Sequence, residues 1–122
     1  MNSNDQILIV DDEVDLLEMY KDYLESEGFN VITAPSGEEA MKIVNSIDSI
    51  KLIISDSHMG KMSGLEFLKQ IQLSKGSTPP FYLSTGDVNK NEAELKPLGV
   101  HRLILKPFDL DDLIVKIKED LK

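Results

Sequence analysis

Five short apolar runs punctuate the chain: Ile7-Leu8-Ile9-Val10, Val31-Ile32, Leu52-Ile53-Ile54, Phe81-Tyr82-Leu83 and Leu103-Ile104-Leu105. Each is too short for a helix and apolar on both sides, as strands buried on both faces of a parallel sheet are. Between them the apolar positions change to helical spacing. Val14, Leu17 and Leu24 form one stripe, with Asp15, Glu18, Asp22 and Glu25 on the wet side; Ala40, Ile43, Val44 and Ile47 form a second, and Leu65, Leu68 and Ile71 a third. Leu113, Ile114 and Ile117 mark the last helix, which opens with Asp109, Asp111 and Asp112, where the helix dipole favours acids. The weakest pattern is the fourth helix, expected from about Val88 to Lys96, polar and stopped near Pro97 and Gly99. Five strands alternating with five helices predict an α/β fold, a doubly wound parallel sheet covered on both faces.

Composition narrows the chemistry. The 122 residues carry 13 basic and 22 acidic side chains, a formal charge of −9, and there is no cysteine and no tryptophan. A basic footprint for nucleic acid is missing, so no direct nucleic-acid binding is expected, and an anionic membrane surface would repel the chain. Disulfides, thiolate metal sites and cysteine nucleophiles are excluded together. No apolar run approaches the length of a membrane span, and Met1 to Gln6 lack the regions of a signal peptide. These features predict a cytoplasmic protein without membrane insertion. No linker or repeat interrupts the pattern, which predicts one domain over residues 1–122, with a core from about 6 to 121 and no output domain.

In a doubly wound sheet the functional crevice lies beyond the carboxyl ends of the strands. Asp11-Asp12-Glu13 follows strand one, Ser55-Asp56-Ser57 strand three, Ser84-Thr85-Gly86-Asp87 strand four and Lys106-Pro107 strand five. Singly, each has an ordinary reading. Asp12, with Asp15 three residues on, fits a helix N-cap; Thr85 fits a cap for the fourth helix; Asp56 and Lys106 fit solvated loop charges. Together they suit one reaction. Strands one and three are neighbours when the strand order is 2-1-3-4-5, and at ~4.8 Å between strands Asp11, Asp12 and Asp56 converge on one ion. Crowded carboxylates repel unless a cation or a proton relieves them. Hard oxygen donors with room for water suit magnesium, with manganese as a substitute. A divalent cation, the Lys106 ammonium, the Thr85 hydroxyl and a nucleophilic carboxylate make a pocket for a phosphoryl group and an acyl phosphate.

With Asp11-Asp12, Asp56-Ser57-His58-Met59-Gly60-Lys61-Met62-Ser63-Gly64, Thr85-Gly86 and Lys106-Pro107-Phe108 in place, the sequence resembles the response-regulator receiver domain of two-component signalling, over essentially its whole length. The strand order 2-1-3-4-5 is that of the CheY-like, flavodoxin-like fold and comes to this chain through the resemblance. The resemblance implies that Asp56 is the phosphoacceptor. Asp11, Asp12, Asp56 and the His58 backbone carbonyl would hold Mg2+. Thr85 would hydrogen-bond the phosphoryl oxygen, and Lys106 would pair with Asp56 and then with the phosphoryl group. A cis Lys106–Pro107 bond is implied as well. The function implied is a stand-alone switch, with self-catalysed phosphorylation and dephosphorylation, rather than an enzyme. Its donor would be a sensor histidine kinase or a histidine phosphotransfer protein of a phosphorelay. Its readout would be binding of a downstream target protein through the fourth helix, fifth strand and fifth helix.

Two positions depart from the family pattern. Gly60 stands where the family usually has proline, which reads as a softer loop with no ligand lost. Leu103 stands where it usually has a rotating aromatic, and an aliphatic side chain cannot make that ring flip. Movement of the strand-four loop and fourth helix is the expected substitute. The family uses the positions of His58 and Asp87 to tune the phosphoryl lifetime, though both also read as solvated loop residues. Rival functions are a phosphorylation-independent interaction module, kept open by Leu103, and a metal-dependent aspartyl phosphohydrolase, which would need a second acid where His58 stands. A Ser84–His58–Asp87 hydrolase lacks a nucleophile elbow, and a flavin site lacks flanking aromatics.

Overall fold

A computed structural model describes residues 5–121; of the segment expected to lack a signal, Met1 to Asn4 fall outside the described residues, as does Lys122. The chain runs β1 (Gln6–Val10), α1 (Val14–Ser26), β2 (Asn30–Ala34), α2 (Gly37–Ser46), β3 (Ile50–Asp56), α3 (Gly64–Lys75), β4 (Phe81–Thr85), α4 (Glu92–Leu95), a 3-10 turn (Lys96–Leu98), β5 (Arg102–Leu105) and α5 (Leu110–Asp120). The strands form one sheet in the order β2-β1-β3-β4-β5, every pairing parallel. The doubly wound expectation therefore stands.

Strand alternation explains why both faces are apolar. Leu8 and Val10 point to one side, where they join Ala40 and Val44 of α2, Phe67, Leu68 and Ile71 of α3, and Leu95 of α4. Ile7 and Ile9 point to the other and join Leu17 and Leu24 of α1 and Leu113, Ile114 and Ile117 of α5. Each face of the sheet thus has its own core. Three of the four long helices start at residues chosen for the purpose. Ser36 accepts from the Glu39 N–H, Ser63 from the Glu66 N–H, and Asp109 from the Asp111 and Asp112 N–H groups.

Three local expectations are corrected. Asp12 does not cap α1: Glu13 is the capping residue, without a side-chain bond, and its N–H is taken by Asp11 Oδ1 at 2.9 Å. The fourth helix is one turn long and then tightens into the 3-10 turn. Residues 88–91 do not join it because Asp87 competes for their backbone: its side chain accepts the Asn89 N–H at 2.9 Å and its carbonyl the Lys90 N–H at 3.2 Å. Thr85 accordingly lies away from the start of α4, which Asn91 caps.

At the far end of β5 a polar knot fastens α5 to the sheet. Asp120 receives Arg102 Nε at 2.8 Å, the hydroxyl of fully buried Tyr82, and His101 Nε2 at 3.3 Å. The Arg102 hydrogen bond holds the Asp120 carboxyl well below the usual carboxylate range.

Candidate functional site

The register aligns the strand ends. Val10 pairs with Ser55, Asp56 with Ser84, and Thr85 with Leu105, so the residues that follow β1, β3, β4 and β5 surround one crevice. Oxygens of Asp11, Asp12 and Asp56 lie within 4.8 Å of one another. Asp11 and Asp56 are buried, and Asp12 is exposed at the rim. Lys106 reaches across from the end of β5 and places Nζ 3.3 Å from Asp11 Oδ2 and 3.2 Å from Asp56 Oδ1. Its backbone N–H donates to the Thr85 carbonyl at 2.7 Å, and the Lys106–Pro107 peptide is cis.

The charges are unbalanced. Three carboxylates face one ammonium, and burial followed by the charge of Asp11 pushes the Asp56 carboxyl above its usual range, against the pull of Lys106. Burial works against the Lys106 charge, but Asp11 and Asp56 together outweigh it and its pKa is raised. The donor set fits a hard divalent cation: close oxygens, two of them on buried residues, with Asp12 opening to water. Ser57 lies next to the phosphoacceptor candidate at the end of β3. Its N–H donates to Asp56 Oδ1 at 2.9 Å, and its hydroxyl is the buried side-chain polar atom without a partner among the described residues.

The remaining predicted residues take different places. Thr85 is buried, and its hydroxyl accepts the Asp87 N–H at 3.1 Å, linking the strand end to the loop before α4. The His58 and Asp87 side chains are exposed. Gly60 has φ of 75°, a left-handed conformation closed to proline, whose ring holds φ near about −65°. Glycine is therefore what this form of the loop requires. Gly64 is held by contact: a Cβ there would lie 2.4 Å from the Asp56 carbonyl oxygen, so α3 starts directly against the end of β3.

Sequence reasoning missed Tyr20 and the placing of Phe108. Their rings stack at 5.3 Å between centroids, tying the loop after Lys106 to α1. The available signal was their rarity in a chain with 6% aromatics. Ser57 gave no signal, because a serine beside an aspartate is unremarkable until its burial is known.

Comparison with known proteins agrees with this geometry. The family model described as response regulator receiver domain matches residues 7–118. The transcriptional regulatory protein CpxR homolog of Haemophilus influenzae is 37% identical over 118 residues, covering 96% of this chain and 50% of that protein. The chain spans about half the length of this and other curated relatives, among them YvrH of Bacillus subtilis, 36% identical and covered over 50% of its length. Among solved structures, a response regulator receiver protein from Pseudomonas putida superposes with a TM-score of 0.87 at 30% identity, covering 98% of this chain and 99% of that one. Response regulator TrrA of Thermotoga maritima, solved in complex with Mg2+ and BeF, gives 0.82 at 33% identity, with 95% and 98% covered.

Proposed function

The chain belongs to the response regulator receiver family of two-component signalling, and from that premise we propose that Asp56 is its phosphoacceptor. A phosphohistidine of a sensor kinase or phosphotransfer protein is the donor. An Asp56 carboxylate oxygen attacks the phosphorus as the bond to the imidazole nitrogen breaks, which leaves neutral imidazole after protonation and an acyl phosphate on the protein. Lys106 stays beside the transferred oxygens and offsets their charge, and the Thr85 hydroxyl donates to one of them. Asp11, Asp12, Asp56 and the His58 carbonyl would hold Mg2+, whose charge eases the approach of an anionic phosphoryl group to a carboxylate.

The observation that carries this reading is the Lys106 ammonium held 3.2 Å from Asp56 and 3.3 Å from Asp11, inside a three-carboxylate cluster. Phosphorylation then favours one of two conformations through contacts that only the acyl phosphate makes. The readout passes through α4, β5 and α5 to a target protein, or to further chain of the kind that fills the other half of the relatives. Intact-mass spectrometry after incubation with Mg2+ and a small phosphodonor should show one added phosphoryl group, absent in Asp56→Asn. A wild-type protein that gains no phosphoryl group and binds no beryllofluoride overturns the reading, and the phosphorylation-independent module takes its place.

A further inference from the structure

β5 is one of the two edge strands, so the side turned away from β4 has no strand to satisfy it. Two side chains of the α4 region take that place. Glu92 Oε2 accepts the N–H of Leu103 at 3.0 Å, and Lys96 Nζ donates to the carbonyl of His101 at 3.1 Å. One helical turn apart, the two also face each other, with Lys96 Nζ 3.6 Å from Glu92 Oε1. A residue of an added parallel strand would donate to the carbonyl before Arg102 and accept from the N–H after it, which are these same two groups. The pair therefore imitates one residue of a sixth strand. Besides this pair, the turn is held by its buried Leu95, by the Val100 N–H on the Leu95 carbonyl at 3.3 Å and by Gln72 Nε2 on the Leu98 carbonyl at 3.0 Å.

We propose that the Glu92–Lys96 clamp is the switch contact of this protein, closed when Asp56 is unmodified and opened when it is phosphorylated. This rests on the aspartyl-phosphate reading above. The clamp grips the backbone at Leu103, the position from which the family's aromatic is missing, so it needs no ring to move. Its connection to the site is short. Thr85 holds the Asp87 N–H, and the loop 86–91 runs from there directly into Glu92. Drawing the Thr85 hydroxyl toward a phosphoryl group on Asp56 pulls on the amino end of α4. Release of the clamp then bares the Leu103 N–H and His101 carbonyl beside exposed Leu105, on the face that a target would meet.

Linkage sets the sign of the test: a contact present only in the closed form opposes ligands of the open form. Wild-type, Glu92→Ala and Glu92→Gln proteins are titrated with beryllofluoride and Mg2+ by calorimetry. Glu92→Ala should bind about three- to tenfold more tightly, the range for losing a solvent-exposed charged hydrogen bond. Glu92→Gln keeps an acceptor for Leu103 and should fall between it and wild type. Equal or weaker binding by Glu92→Ala overturns the proposal. Amide exchange of the wild-type protein gives a check that no variant can spoil. Beryllofluoride should speed exchange at Leu103, and unchanged or slower exchange overturns the clamp even though the site is occupied. Wild-type protein that binds no beryllofluoride overturns the aspartyl-phosphate reading and the switch role with it.

Discussion

Replacing Asp12 with asparagine should make the metal-free protein more stable while removing much of its response to magnesium. The side chain keeps its shape and loses one of three negative charges lying within 4.8 Å of one another. At that separation two unit charges repel by about 1 kcal/mol in water-like surroundings and by about 3 to 4 kcal/mol at an effective dielectric of about 20. Asp12 is exposed, so the lower figure applies to each of its two repulsions, and relaxation of the solvated side chain away from its neighbours removes part of the total. A net gain of about 1 kcal/mol remains, a rise in Tm of roughly 3 to 6 °C for a domain of this size. Wild-type protein should gain about 2.7 kcal/mol when Mg2+ is at about a hundred times its dissociation constant. The variant should show less than about half of that, having lost an anionic ligand. Scanning calorimetry at low ionic strength, with EDTA and then with Mg2+, reads both effects. If Asp12→Asn melts below wild type in EDTA, the three carboxylates are not under electrostatic strain; if Mg2+ leaves the wild-type Tm unmoved, they are not an ion site.

Lys106→Ala should slow labelling of Asp56 by a small phosphodonor by about tenfold or more, since it removes the cation nearest the transferred group; an unchanged rate by phosphate-release or mass assay would show that the ammonium is only structural. Gly64→Ala places a Cβ 2.4 Å from the Asp56 carbonyl oxygen and should cost about 2 kcal/mol or more in urea unfolding, whereas Gly86→Ala, where a Cβ meets open space, should leave that site contact intact. Asp120 tests the distal knot through pH. Its pKa is depressed by the Arg102 hydrogen bond, so its stabilisation is fully present above the unfolded value of about 3.9 and is lost as pH falls through the lower folded value. Asp120→Asn should therefore lose about 1 to 2 kcal/mol at neutral pH and less in acid, and a loss that is the same at pH about 6 and about 2.5 would rule out the ion pair as its source.

The sheet and the crevice were legible in the sequence for a common reason. A strand buried on both faces leaves a run such as Ile7 to Val10 with no polar interruption, and a parallel sheet puts whatever follows each run at one edge. Asp11, Asp56, Thr85 and Lys106 could therefore be brought together without knowing a single side-chain torsion. The capping of α1 was not legible, because Asp11 and Asp12 both have the chemistry for it and only the backbone decides which oxygen meets the Glu13 N–H. Burial of the Ser57 hydroxyl was hidden for a similar reason, since it depends on the loop leading to Gly64 folding back over β3.

The region from Gly86 to Leu98 was the least legible, and the cause is physical. It has too few apolar positions for periodicity to reveal a helix, and Asp87 and Asn91 offer the backbone side-chain partners that compete with helical bonds. A segment with that composition cannot be fixed by a large buried face. It is held by Leu95 and a few polar contacts, and those of Glu92 and Lys96 fall on the edge of β5. Contacts of this kind are weak enough for a change of about 1 to 2 kcal/mol at the neighbouring strand end to alter which conformation prevails. The core helices α1, α3 and α5, each with three or more buried residues, are too firmly seated to respond to so small a change. Weak patterning in the sequence and light seating of α4 in the fold thus have one origin, which is why the proposed switch is placed there.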